Sequence, residues 1–381
     1  MGLDVARCLA LVGMIATHTL VAVDLDGVRL PQQLAGGRAA ALFAVLAGVS
    51  LALMTGGPRP VRGREREARS AGLLVRALII GAVGLALGEL DSGIAVILTY
   101  YAVLFVAGLP FLGLSARALA AWAAGWLVAA PALSQVLRPL LPQPSGASPS
   151  FPMLTTPWQL ATELTVTGYY PVLTWLAYLL GGMALGRLDL RAIAASTRRS
   201  GSLVVGGALL ALAGWFVSAA LTALPAAGRA LRSTYPGDPA DLPTELTHGL
   251  HGTTPTGSWW WLAVHAPHSG TPFDLAHTLG SAIAVIGLCL LLARPAPRAA
   301  AVVCGAGAMT LSLYTLHVAL RTPGGWYVDS PDTFTRHVVL VLAIGAVFGW
   351  RRWRGPLETL VRRASGATAA SVRKPPAPAP R

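Results

Sequence analysis

Charge is what this chain has least of. Only 12% of its 381 residues are Asp, Glu, Lys or Arg, about half the share usual in a soluble domain. Lysine is almost missing, Lys374 being the only one. Cysteine is scarce as well. Cys8, Cys289 and Cys304 all sit inside apolar runs, which excludes a disulfide-stapled domain and makes them small apolar filler. The chain lacks a Walker loop, a dinucleotide-binding glycine fingerprint and a His-Glu-x-x-His zinc helix, so no common soluble-enzyme motif applies. His248-x-x-His251 and His265-x-x-His268 have no cysteine or arranged carboxylate to complete a zinc site, and no metal is expected.

Apolar residues are what is abundant: 54% of the chain is hydrophobic and mean hydropathy is +0.60. Crossing a hydrocarbon core takes roughly 20 apolar residues in a helix. Ten segments qualify, at about 5–23, 38–55, 73–88, 94–113, 118–137, 169–186, 203–224, 272–292, 299–320 and 335–350, the last being the weakest. The expected fold is all-α, a polytopic bundle of about ten transmembrane helices in the lipid bilayer. The first span carries Asp4, Arg7 and His18 with no small-residue cleavage site behind it, so it reads as a retained span, not a signal peptide.

The formal charge of +13 invites a nucleic-acid reading that the placement of the arginines excludes. With the N-terminus cytoplasmic, the outer side keeps only Arg29, Arg38, Arg138, Arg229, Arg232, Arg321 and Arg336 of the 29 basic residues. That is a positive-inside bias, and it puts both termini in the cytoplasm, with the cell membrane as location. Residues 1–350 then form the membrane domain, and 351–381 a basic, Pro/Ala-rich tail expected to be disordered. Two outer loops, 138–168 and 225–271, are of a length that is either functional or disordered. Trp259, Trp260 and Trp261 in the second read as an interfacial aromatic belt ahead of a sugar-stacking platform.

Polar groups inside spans are costly and mark function by default. Arg7 and His18 are eleven residues apart, three turns plus about 20°, so they share one helix face roughly 16 Å apart along the axis. Asp4 is placed to pair with Arg7. Arg38 opens the second span, Glu89 and Asp91 close the third, Asp274 and His277 are one turn apart in the eighth, and His317 is in the ninth. Every ionisable candidate except Arg7 and Arg76 converges on the outer half, which predicts a buried polar site open to the outside. Each has a plainer reading: His317 as an interhelical hydrogen bonder, Asp274 and His277 as a helix-start pair, Arg38 as a snorkelling anchor. The Arg59–Arg69 run reads first as a topology signal and anionic-lipid contact.

The segment from Asp4 through Arg7 to His18 resembles the opening helix of the transmembrane acyltransferase superfamily, in which an Arg, ten residues and a His mark the catalytic helix. Gly37-Arg38 followed by Phe43-x-x-x-x-Gly48-x-Ser50 is similar to its second helix. Within that superfamily the nearest likeness is to bacterial heparan-α-glucosaminide N-acetyltransferase catalytic-domain proteins and a related uncharacterised membrane family. Ile97–Phe105, Gly168–Tyr178 and Pro267–Phe273 look like the later blocks. One departure stands out. In the lysosomal enzyme that names the domain, the catalytic His follows the first helix, where residues 24–37 here hold none.

The resemblance implies acyl-CoA, such as acetyl-CoA, as co-substrate, with its phosphates near Arg7 and the Arg59–Arg76 region. His18 would act as general base on a hydroxyl or amine of a glycan, glycolipid or cell-wall acceptor. Arg38, or a donor from Tyr100 or His277, would stabilise the thioester oxyanion. Asp274 would orient His277 or bind the acceptor, with His317 as a further binding residue. The competing class is a transporter or flippase using the same buried groups for a polar substrate or protons, although the two halves show no clear internal repeat.

Overall fold

The computed structural model describes residues 1–25 and 27–373. Every one of the ten apolar segments is helical. They are α1 Gly2–Thr19, α2 Arg38–Met54, α3 Gly63–Gly88, α4 Leu98–Gly108, α5 Ala116–Leu137, α6 Val172–Gly186, α7 Thr197–Thr222, α8 Pro272–Leu292, α9 Thr310–Leu320 and α10 Pro331–Arg351. By length and composition six helices can cross a membrane: α2 with the short helix before it, α3, α5, α7, α8 and α10. α4, α6 and α9 are shorter apolar helices. Strand structure among the described residues is one hairpin, pairing Val23 with Val28 and Asp24 with Gly27.

Burial separates centre from rim. α2 and α6 are buried along most of their length, while α7 and α10 leave most of their apolar side chains outward. Outward side chains such as Leu78, Leu209, Phe216 and Val339 are what a lipid-facing helix presents. The central pair meets backbone to backbone. A Cβ on Gly48 would collide with the Leu179 carbonyl, and one on Gly182 with the Val45 carbonyl. Small residues at such crossings let dispersion contacts replace the missing hydrophobic drive.

Three segments differ from expectation. The span at 299–320 is broken into Pro297–Val303, a tight turn at Gly305–Ala308 and α9. The break falls where Gly307 abuts the Asp4 carbonyl and Gly305 abuts that of Gly345, so α1 and α10 both press on this turn. The last span starts earlier than 335, because Ser330 caps it, its hydroxyl accepting from Thr333 N at 3.1 Å, and Pro331 occupies the first turn. Ser-Pro-Asp is a strong helix-start signal.

The third difference is the tail. Residues 356–373 are not disordered but form α11, Pro356–Arg373; residues 374–381 lie outside the described residues. α11 docks on α3, with Arg373 paired to Glu65 at 2.6 Å and the Ser365 carbonyl against Gly72. Its Glu358 takes the backbone N–H of Leu311 at 2.8 Å and of Ser312 at 3.1 Å. A carboxylate there satisfies orphan donors at the start of α9 and complements its dipole.

The long loops are ordered as well. Segment 225–271 contains helices Pro225–Thr234 and Leu242–His248. Of the tryptophan triplet, Trp259 is 61% exposed but Trp261 is fully buried, donating to Thr234 Oγ1 at 2.9 Å. Trp261 therefore belongs to a small core under the loop, not to an aromatic belt. In segment 138–168, Glu163 is buried and accepts from Ser145 N at 2.7 Å.

Candidate active site

The bundle has two polar ends. α1 joins them, with Arg7 near one and His18 near the other. At the Arg7 end the guanidinium donates to Asp4 Oδ1 at 2.6 Å and to Ser50 Oγ at 2.9 Å. The expected Asp4–Arg7 pair forms, and Ser50 of the small-residue signature ties α2 to it. Arg187 of the same end is buried. It donates to the carbonyls of Ala52 at 2.8 Å, Thr55 at 3.1 Å and Gly57 at 3.0 Å, and also to that of Leu112. It closes the exposed C-terminus of α2, as an arginine does for a helix end.

A cavity of about 130 Å³ opens between α1, α2, α3, α4 and α9. Arg7, Ser50 and Arg76 line one end; Met14, Ile97 and Tyr314 lie deeper. Arg76 Nε is buried there without a hydrogen-bond partner, an orphan donor that an anionic or carbonyl-bearing ligand satisfies. Met14 is one turn before His18, and Tyr314 is three residues before His317. Along the helix axes Met14 is therefore about 6 Å from His18 and Tyr314 about 4.5 Å from His317; the histidines themselves do not line the slot. A second cavity of about 330 Å³ between α3 and α11 shares Met54 and Arg76 with the first and adds Arg69, Arg362 and Arg373.

At the other end the side chains form two groups. In the first, His18 Nδ1 is 3.1 Å from His317 Nε2, with the rings parallel at 5.3 Å. His317 Nδ1 is in turn 3.1 Å from His337 Nδ1. His317 and His337 are fully buried; His18 is only part-buried. Both nitrogens of His317 face histidines, which leaves neither for a substrate. Trp326 closes over His337, ring centroids 5.1 Å apart, and the start of α10 is tied to the end of α1 through Ser330 N and the Thr19 carbonyl at 2.9 Å.

The second group is built on Arg38. Its Nε and Nη2 reach His277 Nε2 at 3.1 and 2.9 Å, and Nη1 donates to the Gln33 carbonyl. His277 Nδ1 lies 3.0 Å from the Ala211 carbonyl. A carbonyl only accepts, so Nδ1 carries the proton and Nε2 is the acceptor for Arg38. His277 is therefore a neutral prop for Arg38 with no donor left for an oxyanion. Asp274 does not orient His277: it accepts from Gly270 N at 3.0 Å, and its own N–H is capped by Thr271 Oγ1 at 3.1 Å. Arg38, Asp274, His277, His265 and Trp215 line a cavity of about 300 Å³. Among the described residues no hydrogen bond joins this group to His18.

The sequence profile of the heparan-alpha-glucosaminide N-acetyltransferase catalytic domain matches residues 1–214. The chain belongs to this family. No curated protein matches it. The family assignment makes the chain a membrane acetyltransferase-type protein, and the matched span holds Arg7, His18, Arg38 and most of the slot's lining. His277, His317, His337 and α11 lie beyond it.

Two residues shift relative to expectation. Tyr100 is only 2% exposed, and its hydroxyl accepts from Tyr169 N at 3.2 Å. It braces a loop, and its neighbour Tyr101 lines the slot instead. His337 was legible only as a polar residue at a weak helix start; recognising Ser330-Pro331-Asp332 as the cap puts it nearly two turns inside α10. The loop histidines serve the second group's surroundings. Gly37 N donates to His268 Nε2 at 3.2 Å, which Gly37 permits by a φ of +70°. Burial first, then His251 and His248, push His268 down to about 4. Burial, then His277 and Arg38, push His265 down to about 4. Both rings are neutral at pH 7.

Proposed function

We propose that the protein transfers an acyl group, in the first instance acetyl, from cytoplasmic acyl-CoA to a hydroxyl or amine acceptor presented at the opposite face of the cell membrane. In this reading ten helices span the bilayer with both termini cytoplasmic, and the Arg7 end faces the cytoplasm. The observation that carries it is the slot running from Arg7 and Arg76 to one turn below His18.

The acyl-CoA phosphates rest against the arginine mouth formed by Arg69, Arg76, Arg362 and Arg373, since fixed guanidinium forks suit phosphate oxygens. The pantetheine arm occupies the apolar slot past Ser50 and Tyr101, which excludes water from the thioester. His18 Nε2 removes the acceptor proton as the acyl carbon is attacked and returns it to the departing thiolate. Arg38, held flat by His277, binds the acceptor in the cavity it shares with Asp274, His265 and Trp215. A glycan, glycolipid or cell-wall sugar fits that lining, whose polar groups ring one exposed indole.

The test is acetyl-CoA turnover by purified protein in lipid nanodiscs, followed as free thiol, with glucosamine and bacterial glycolipid extracts as acceptors. Acceptor-dependent thiol release that vanishes in His18→Ala supports the reading. Undiminished release by His18→Ala sinks it.

A further inference from the structure

We propose that His317 and His337 form a proton relay behind His18, so that the positive charge His18 gains as a base is carried by the third ring. The inference rests on the reading of His18 as the base. In the familiar hydrolase triad a carboxylate fills this place, fixing the tautomer of the histidine and offsetting its charge. Here, among the described residues, no carboxylate hydrogen-bonds any of the three rings. The other groups in electrostatic reach of His18 are Arg321 and His268, and Arg321 is paired to Asp329. Arg321 is in reach of His317 and His337 as well, but His337 alone of the three rings also faces a backbone carbonyl, that of Trp326, which helps the third ring hold a positive charge.

Each N···N contact of 3.1 Å needs one proton, and both protons must point the same way because His317 holds only one when neutral. In one arrangement His18 Nδ1–H donates to His317 Nε2, and His317 Nδ1–H donates to His337 Nδ1. That leaves His18 Nε2 bare, the form a base requires. When Nε2 takes the acceptor's proton, the Nδ1 proton of His18 passes to His317 Nε2. The Nδ1 proton of His317 passes to His337 Nδ1, and His337 becomes the cation. As the carbon–sulfur bond breaks, both transfers reverse and Nε2 of His18 protonates the thiolate. No proton is gained or lost over the cycle. The near-parallel, edge-to-edge rings of His18 and His317, centroids 5.3 Å apart, and full burial of the inner two rings hold the ladder in line and keep water out of it.

His337→Asn separates a relay from a prop, because an amide oxygen still accepts from His317 Nδ1–H but cannot take up the proton. The measurement is thiol release from acetyl-CoA in nanodiscs between pH 5 and 9, with hydroxylamine as a surrogate nucleophile. The relay predicts a kcat about 10–100-fold lower in His337→Asn, KM for acetyl-CoA within twofold, and an acid limb moved to lower pH because the base loses its charge sink. Wild-type kcat and profile in His337→Asn, alongside an inactive His18→Ala, overturns the relay and leaves the parent reading intact. An active His18→Ala overturns both. Nitrogen-15 spectra of labelled histidine in the same nanodiscs do not depend on turnover. Three rings titrating as one unit support the relay, and a His18 ring whose titration is unmoved by His337→Asn overturns it.

Discussion

At one end of the bundle Arg7 holds Asp4 and Ser50, Arg187 gathers carbonyls from the end of α2, and Arg373 pairs with Glu65. At the other end His18, His317 and His337 bond to one another, and His277 props Arg38. Guanidiniums stay charged at any pH a protein survives, whereas an imidazole exchanges its proton near neutrality. One end can therefore bind anions and brace the fold; the other can also move protons. This division was hidden in the net charge, which counts arginines and leaves out neutral histidines.

Removing the one reactive ring is the severest challenge to that contrast. His18→Ala is expected to lower kcat for acyl transfer about 10³-fold, within the usual range for a general base, with KM for acetyl-CoA nearly unchanged. An equal kcat loss in Arg7→Ala would erase the distinction between the ends. Next comes Arg187→Met, which strips several buried carbonyls of their donor; we expect about 3 kcal/mol of stability lost, read as a lowered thermal midpoint in detergent. A midpoint equal to wild type would show that these carbonyls find other partners.

The histidine end should then respond to acid where the arginine end does not. His265 and His268 sit at about 4 when folded against about 6.5 unfolded. The unfolded chain thus binds more protons between those values, so stability rises with pH there. It is complete above about 6.5 and is lost as pH falls towards 4. After allowance for their partial exposure, going from pH 7 to 5 should cost roughly 2 kcal/mol. His265→Gln/His268→Gln should flatten that slope; an unchanged slope would place the acid sensitivity elsewhere. The smallest effect belongs to the arginine mouth. Arg362→Gln is expected to raise KM for acetyl-CoA about threefold to tenfold, roughly 1 kcal/mol, with kcat preserved and the effect fading at high salt.

The apolar segments were legible as helices because apolar length is a direct demand of the bilayer, six of them being long enough to cross it, and the Arg7–His18 face followed from helical periodicity alone. What could not be read was which polar residues meet. Arg38 and His18 both occupy the same end, yet they face different neighbours, since partner choice is set by helix rotation about contacts such as Gly48 on Leu179. Tyr100 and Tyr101 show the same limit, because one residue of rotation decides which lines the slot. The tail escaped for another reason. α11 is poor in apolar residues and makes a helix by docking on Glu65, on Gly72 and, through its own Glu358, on the first turn of α9, partners distant in sequence.

Glu358 gives that docking a reach beyond the tail. It is the acidic cap on the first turn of α9, and about two turns further along the same rod stands His317. α11 thus serves as a footing for the helix that carries the middle ring of the ladder, anchored from the opposite end of the molecule. Shortening the protein after α10 is for that reason no trimming of a loose end: it unseats a helix whose far tip has to keep two nitrogen contacts in register.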